Sequence, residues 1–298
     1  MPSGPFPSRP SSQARTTPPV IWLSADQVSA DFALPPATAP HGRLSLAQAP
    51  ILILVGLTRA GKTATVTGLA DRGAVGTVLP DRREITDRII MPAMTGDPAR
   101  KVTDRIERFR LTRAFRERHP GGMGDVLERL SVDGDRGTAL REAGWLVFDG
   151  VRGAAETAAA IRLPNAVFAV LQAPPELRVA RLSLRADPFD QATADETGGS
   201  EHNATDARYR RTLEERGLGE LLAAAALDRL AGRLADANAE LTAVGSAVSI
   251  VVEESRHYDP DAALAVLERL APARTVVVDT AEHGVDAVVD RVAAALAL

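Results

Sequence analysis

The sequence predicts a three-layer α/β sandwich: a mostly parallel β-sheet with helices on both faces. Short apolar runs alternate with helix-compatible stretches, the order that builds parallel sheets. The runs ILILV, WLVF, VFAVL and VVV are continuously apolar, as strands covered on both faces are. No internal repeat period points to a solenoid or propeller instead.

Composition bounds the function. The chain has 298 residues, 45% of them hydrophobic and 25% charged, enough for a full core and ordinary for a globular protein. A net charge of -4, from 35 basic and 39 acidic residues, gives no general attraction to nucleic acid or anionic membrane. With no cysteine, thiol chemistry, disulfides and Cys-ligated zinc are excluded. His41, His119, His202, His257 and His283 are scattered without metal-ligand spacing. No apolar run approaches the ~20 residues of a membrane helix. The first residues lack the apolar middle of a secretory signal, so a cytoplasmic location is the expectation.

Residues 1–48 read as a Pro-rich N-terminal tail and linker, with the organised domain over 49–298. Val20 to Leu23 is a short apolar run in that tail that either adds an edge strand or packs against the core. Ile51 to Val55 is the first core strand, followed by a helix that stops at Gly73, a C-cap residue type. Ala74 to Leu79 is the next strand and opens into the charged segment Pro80 to Arg88. Pro98 to His119 has a long helical pattern broken by Pro120-Gly121-Gly122. A short helix over Gly124 to Leu130 precedes the glycine-rich Asp133 to Gly137. Trp145 to Asp149 is an apolar strand ending on a carboxylate. A helix from Ala154 to Arg162 leads to strand Ala166 to Leu171, and Pro174-Pro175 starts a helix through Leu184.

From Arg185 to Asp206 the periodicity is lost among Gly, Asp, Thr and Ser, as in a mobile loop. A helical insertion is expected over about 204–245, where Ala207 to Ala243 is rich in Ala, Leu, Glu and Arg. Val248 to Glu253 reads as a further strand. Asp259 as N-cap with Pro260 at the first helical position starts another helix. Strand Thr275 to Asp279 and a helix over Val285 to Leu296 close the chain.

The chemistry is concentrated after the first strand. Gly56-Leu57-Thr58-Arg59-Ala60-Gly61-Lys62-Thr63 satisfies G-x-x-x-x-G-K-[ST] at every required position, between a strand and a helix-compatible stretch that begins with Ala64. Glycines allow the tight turn that aims backbone N–H groups and a helix N-terminus at a polyphosphate. Lys62 is placed to reach the β- and γ-phosphates and Thr63 to ligate Mg²⁺. The expected ligand is therefore a nucleoside triphosphate with Mg²⁺, and the expected fold a P-loop NTPase sandwich.

In open α/β sheets ligands bind beyond the carboxyl ends of strands, and three charged sets fall there. Asp149 either joins Thr63 in holding the metal or caps the turn into the next helix. Arg82, Arg83 and Arg88, with Arg152, either bind a phosphorylated acceptor through their guanidinium forks or form a solvated face with Asp81, Glu84 and Asp87. Arg178, Arg181 and Arg185 share one helical face. They either close over the phosphates and stabilise transferring charge, or belong to a plain amphipathic helix with Leu177, Leu182 and Leu184 inward.

In this order of parts the chain resembles the nucleoside monophosphate kinase group, closest to its adenylate-kinase-like and dephospho-CoA-kinase-like members. The resemblance rests on the phosphate loop, the Arg segment, Phe148-Asp149-Gly150-Val151-Arg152-Gly153-Ala154-Ala155-Glu156, and the Arg-rich helix before a loop. It covers about 51–190 and the last strand and helix. It implies ATP in the loop, the acceptor at the Arg segment and at Arg152, Arg181 and Arg185 in transfer, and VVVDT beside the adenine. Many such kinases carry a glycine inside the loop where this chain has Arg59. The helical insertion is also outside the minimal pattern.

Two functions follow. The first is a kinase passing the ATP γ-phosphate to a nucleotide or other small phosphorylated acceptor. The second is a regulatory NTPase acting through a protein partner, or a second copy, at the helical insertion. No Asn-Lys-x-Asp motif supports a translational-type GTPase, and the net acidity argues against a nucleic-acid motor.

Overall fold

The structure, a computed structural model, describes residues 43–97, 100–133, 144–184 and 206–296. Val20 to Leu23, most of Asp133 to Gly137, Arg185 and the segment expected to be a mobile loop lie outside them.

A short strand β1 (Arg43–Ser45) leads to β2 (Ile51–Val55). All five residues of β2 are buried. The stretch from Gly56 then enters α1 (Lys62–Asp71), followed by β3 (Val75–Val78). The charged segment forms α2 (Arg82–Ile85), a π-helical turn over Thr86–Ile90, and α3 (Met91–Thr95). Next come α4 (Arg105–Arg118), α5 (Gly122–Arg129) and β4 (Ser131–Asp133), which pairs antiparallel with β1. The helix expected from Pro98 starts only at Arg105. Asp104 sets that start by accepting the Glu107 N–H at 2.7 Å, a side-chain cap the helical periodicity alone does not locate.

β5 (Trp145–Val151), α6 (Gly153–Ala160), β6 (Ala166–Gln172) and α7 (Pro175–Ser183) follow. Then come α8 (Asp206–Glu215), α9 (Ala224–Asp236) and α10 (Leu241–His257). The chain returns through α11 (Pro260–Leu270), β7 (Thr275–Asp279) and α12 (Val285–Leu296). Asp259 caps α11 as expected, accepting from Asp261 N at 2.9 Å and Ala262 N at 3.0 Å.

The main sheet is parallel throughout, with the order β3-β5-β2-β6-β7. Period-two alternation divides the central strand between two cores. Ile51, Ile53 and Val55 join Phe148, Phe168, Leu127 of α5, Ala160 of α6 and Leu267 of α11. Leu52 and Leu54 face the other way onto Leu69 of α1 and Val288 and Val292 of α12. Helices therefore cover both faces, and the three-layer α/β sandwich is as expected.

The expected strand Val248 to Glu253 is instead part of helix α10. Its buried residues, Val244, Val248, Val251 and Val252, recur at helical spacing. They meet Tyr209 and Leu213 of α8, Leu230 and Leu234 of α9, and Val179 of α7 in a third core. β-branched residues favour strands locally, but a stripe buried on one side at this spacing is satisfied only by a helix. The helical unit therefore runs on to His257 rather than ending near residue 245. Its core is closed by the Tyr209 hydroxyl donating to Ala239 O at 2.6 Å.

Candidate functional site

β2 and β6 are neighbours, yet the strand after β2 lies on one side of the pair and the strand after β6 on the other. Chains leaving in opposite directions open a crevice at the carboxyl ends, the usual ligand position in such sheets. The Gly56–Thr63 loop spans this crevice. Gly56 is required there, because a Cβ would sit 2.6 Å from Leu171 O. Gly61 is the N-cap of α1 with φ 101 and offers no capping side chain. The first N–H groups of α1 thus have no side-chain acceptor from their cap, as an anion site requires.

Arg59 has φ 64, a left-handed conformation that a non-glycine residue adopts at a cost of about 1 kcal/mol or more. Here the strained peptide is held from outside. The Arg181 guanidinium donates to Arg59 O at 3.0 Å and to Thr280 O at 2.9 Å and Oγ1 at 3.0 Å. Arg178, on the preceding turn of α7, donates to Thr58 O at 2.9 Å. The two helix arginines therefore buttress the loop backbone in this structure rather than standing open above it.

Lys62 folds back on its own loop, donating to Gly56 O at 2.8 Å and Leu57 O at 2.9 Å. Its Nζ is 3.6 Å from Asp149 Oδ1. Asp149 reaches it because β5 pairs directly with β2, Leu54 lying opposite Asp149. Burial holds the Lys62 pKa below its usual value, with Asp149 opposing. Burial likewise raises Asp149, against the pull of Lys62 and Arg152. Desolvation outweighs pairing at both, so each group is held in a setting that favours its neutral form. Thr63 is exposed on the first turn of α1, and Ala64 beside it is half-buried. Thr63 and Asp149 offer the hard oxygens that Mg²⁺ prefers. Among the described residues, no three His, Cys, Asp or Glu side chains gather into a metal site.

The arginines expected to bind an acceptor separate. Arg82 forks onto Glu156, with Nη2–Oε1 at 2.6 Å, and donates to Gly150 O at 2.8 Å. The same carboxylate accepts Arg152 N at 3.0 Å, so Glu156, 5% exposed, organises the whole Asp149-Gly150-Val151-Arg152 turn. Arg152 lies over the Tyr258 ring, 5.6 Å from its centroid. Arg83 is exposed, and Arg88 pairs on the surface with Glu84 at 3.4 Å. The structure joins Arg82 and Arg152 to the site but leaves Arg83 and Arg88 on the outer face of the segment.

Two cavities flank this arrangement. One of about 320 Å³ is lined by Gly56, Leu57, Arg152, Gln172, Pro174 and Tyr258. The other, about 490 Å³, opens beside Arg82 between Thr86, Phe109, Arg116, Met123 and Tyr258. Phe109 is 60% exposed on its rim.

One site residue escapes sequence reasoning. Glu254, near the end of α10, accepts Thr58 N at 3.0 Å and the Thr58 hydroxyl, and it pairs with Arg178 and, at 3.2 Å, with Arg152. These contacts span 196 residues from Thr58 and 102 from Arg152. The sequence offers only a carboxylate just past the strand expected over Val248 to Glu253, with nothing local to tie it to Thr58. Among the described residues, no helix is long and apolar enough to cross a membrane. The chain matches no protein-family model, no curated protein and no solved structure.

Proposed function

We propose that the chain binds ATP with Mg²⁺ in the Gly56–Thr63 loop, in a P-loop NTPase fold, and transfers the terminal phosphoryl group to a small phosphorylated acceptor. One observation carries this reading. The loop joins the central strand to a helix with no side-chain cap, and its lysine stands 3.6 Å from the carboxylate of the neighbouring strand. Strand, loop, lysine and acid are the parts that phosphoryl transfer from a nucleotide uses.

In the reaction Lys62 exchanges the Gly56 and Leu57 carbonyls for phosphate oxygens, which restores a full counter-charge to a buried ammonium. Thr63 and Asp149 would hold Mg²⁺, which would supply positive charge against the phosphates. Arg152 stabilises the group in transit, and Arg82 anchors the acceptor in the larger cavity. Thr86, Phe109, Arg116 and Tyr258 there offer a hydroxyl, an aromatic wall and a second cation, a lining suited to an anion carrying a flat apolar part. Catalysis is positional and electrostatic.

The test is a turnover screen of nucleoside monophosphates, dephospho-CoA and small alcohols with ATP and Mg²⁺. At least one acceptor is expected to be phosphorylated, with Lys62→Ala inactive. A regulatory NTPase is the second reading, favoured by the contact of α10 on the loop through Glu254. It replaces the first if no acceptor turns over while ATP changes association with a partner or a second copy.

A further inference from the structure

Glu254 occupies a set of donors made for a phosphoryl group. A loop N–H, a hydroxyl and two guanidinium groups converge on its carboxylate, and these are the groups that bind phosphate oxygens elsewhere. The residue is 8% exposed. Nothing in α10 itself calls for an anion there, since a negative charge near a helix C-terminus opposes the macrodipole. The carboxylate also contributes to the field at Lys62, as do Asp149 and Arg152, so it lies within the same charge cluster.

From this geometry, and resting on the proposal that the loop binds a triphosphate, we infer that Glu254 is an internal competitor for the terminal phosphoryl group. In this structure its carboxylate holds Thr58, Arg152 and Arg178. A terminal phosphate takes over the Thr58 N–H and the guanidinium of Arg152, and the end of α10 is released from the loop. The device links occupancy of the loop to the helical unit, because α10 carries Val244, Val248 and Val251 in that unit's core. It is also selective, since only a ligand long enough to reach Thr58 displaces the carboxylate.

The test compares calorimetric binding of ATP and ADP, each with Mg²⁺, to the full chain and to Glu254→Gln, Glu253→Gln and Lys62→Ala variants. Glu254→Gln is nearly isosteric and keeps an acceptor oxygen, but it gives up the charge. ATP is expected to bind it about tenfold tighter or more, the equivalent of one charge-assisted hydrogen bond, while ADP affinity changes little. Glu253→Gln, which removes a charge paired on the surface with His257, controls for net charge and leaves both affinities as they were. Hydrogen exchange of the unmodified chain gives a second readout that requires no variant to fold. ATP is expected to speed exchange in the last turns of α10, and ADP is not. Equal or weaker ATP binding by Glu254→Gln overturns the inference, as does an equal gain for ADP or slower exchange at α10 with ATP. If the unmodified chain binds ATP and Lys62→Ala does not, the triphosphate proposal stands whatever Glu254 does. If neither binds ATP, both fall together.

Discussion

The parallel sandwich and the helical unit α7–α10 reach the same end, a dry apolar core, by different routes. In the sandwich the backbone sets the arrangement: parallel pairing brings Gly56, Asp149 and Gln172 together at the carboxyl ends of neighbouring strands. In the helical unit side chains set it, through stripes of Leu and Val closed by one buried tyrosine. The sandwich therefore presents chemistry at its strand ends, while the unit presents only what a helix end carries to the boundary. At that boundary the two meet through polar groups: Arg178 and Arg181 on loop carbonyls, and Glu254 on Thr58. The difference teaches that the unit meets the loop through a few charged contacts, the junction proposed above to exchange with a ligand of matching charge.

The largest expected effects test whether the two regions stand or fall together. Phe148→Ala removes a fully buried ring between the sheet and its helices, and it should cost about 3–5 kcal/mol in chemical denaturation. Leu234→Ala, equally buried in the helical unit, should cost about 2–5 kcal/mol. If both variants unfold in a single transition, the polar junction couples the cores. A separate early transition in Leu234→Ala would show two independent units.

Next in size is a test of the loop alone. Lys62→Ala should lower ATP turnover by at least about 10²–10³-fold, to the point of inactivity in the screen, without lowering the thermal midpoint of the nucleotide-free protein, because the buried ammonium is held below its usual pKa. A drop in stability instead would give Lys62 a structural role. Arg178→Met breaks the junction itself. Arg178 is 2% exposed, but Glu254 keeps Arg152 and Thr58, so the loss should be about 1–3 kcal/mol in denaturation. Larger ATP effects than that would mean Arg178 is felt at the phosphates.

The smallest effect concerns pH. Burial raises Asp149 above its unfolded value, so the folded state favours the protonated acid. The stability this confers is present below the ordinary carboxylate range and is lost as pH rises through the folded value. Asp149→Asn should therefore raise the thermal midpoint of the empty protein at neutral pH, with the gain shrinking as the pH is lowered into the acid range. A gain that is the same at every pH would mean burial is not its origin.

Much of the site was legible because its parts are contiguous. Strand, loop and helix N-terminus occupy one unbroken stretch from Ile51 onward, and glycine spacing plus a following Lys-Thr pair encode a geometry that local backbone rules enforce. Apolar strand runs likewise announced a sheet covered on both faces, and Asp149 and Glu156 stood within one short segment of Arg152. Val248 to Glu253 has the composition of a strand, while its spacing is satisfied only once α8 and α9 supply a surface to bury it.

What the sequence determined by itself was therefore local: the loop and its flanks, the sandwich class, and the strand-end acid. Tertiary structure alone decided that Arg181 holds the strained Arg59 peptide, that Arg82 belongs to Glu156 while Arg83 and Arg88 stay outside, and that Glu254 sits on Thr58. The reason is physical. Backbone conformation and periodicity are written over a few neighbouring residues, but the partner of a charged side chain is whichever group the packed core brings within reach. For Glu254 that group lies 196 residues away.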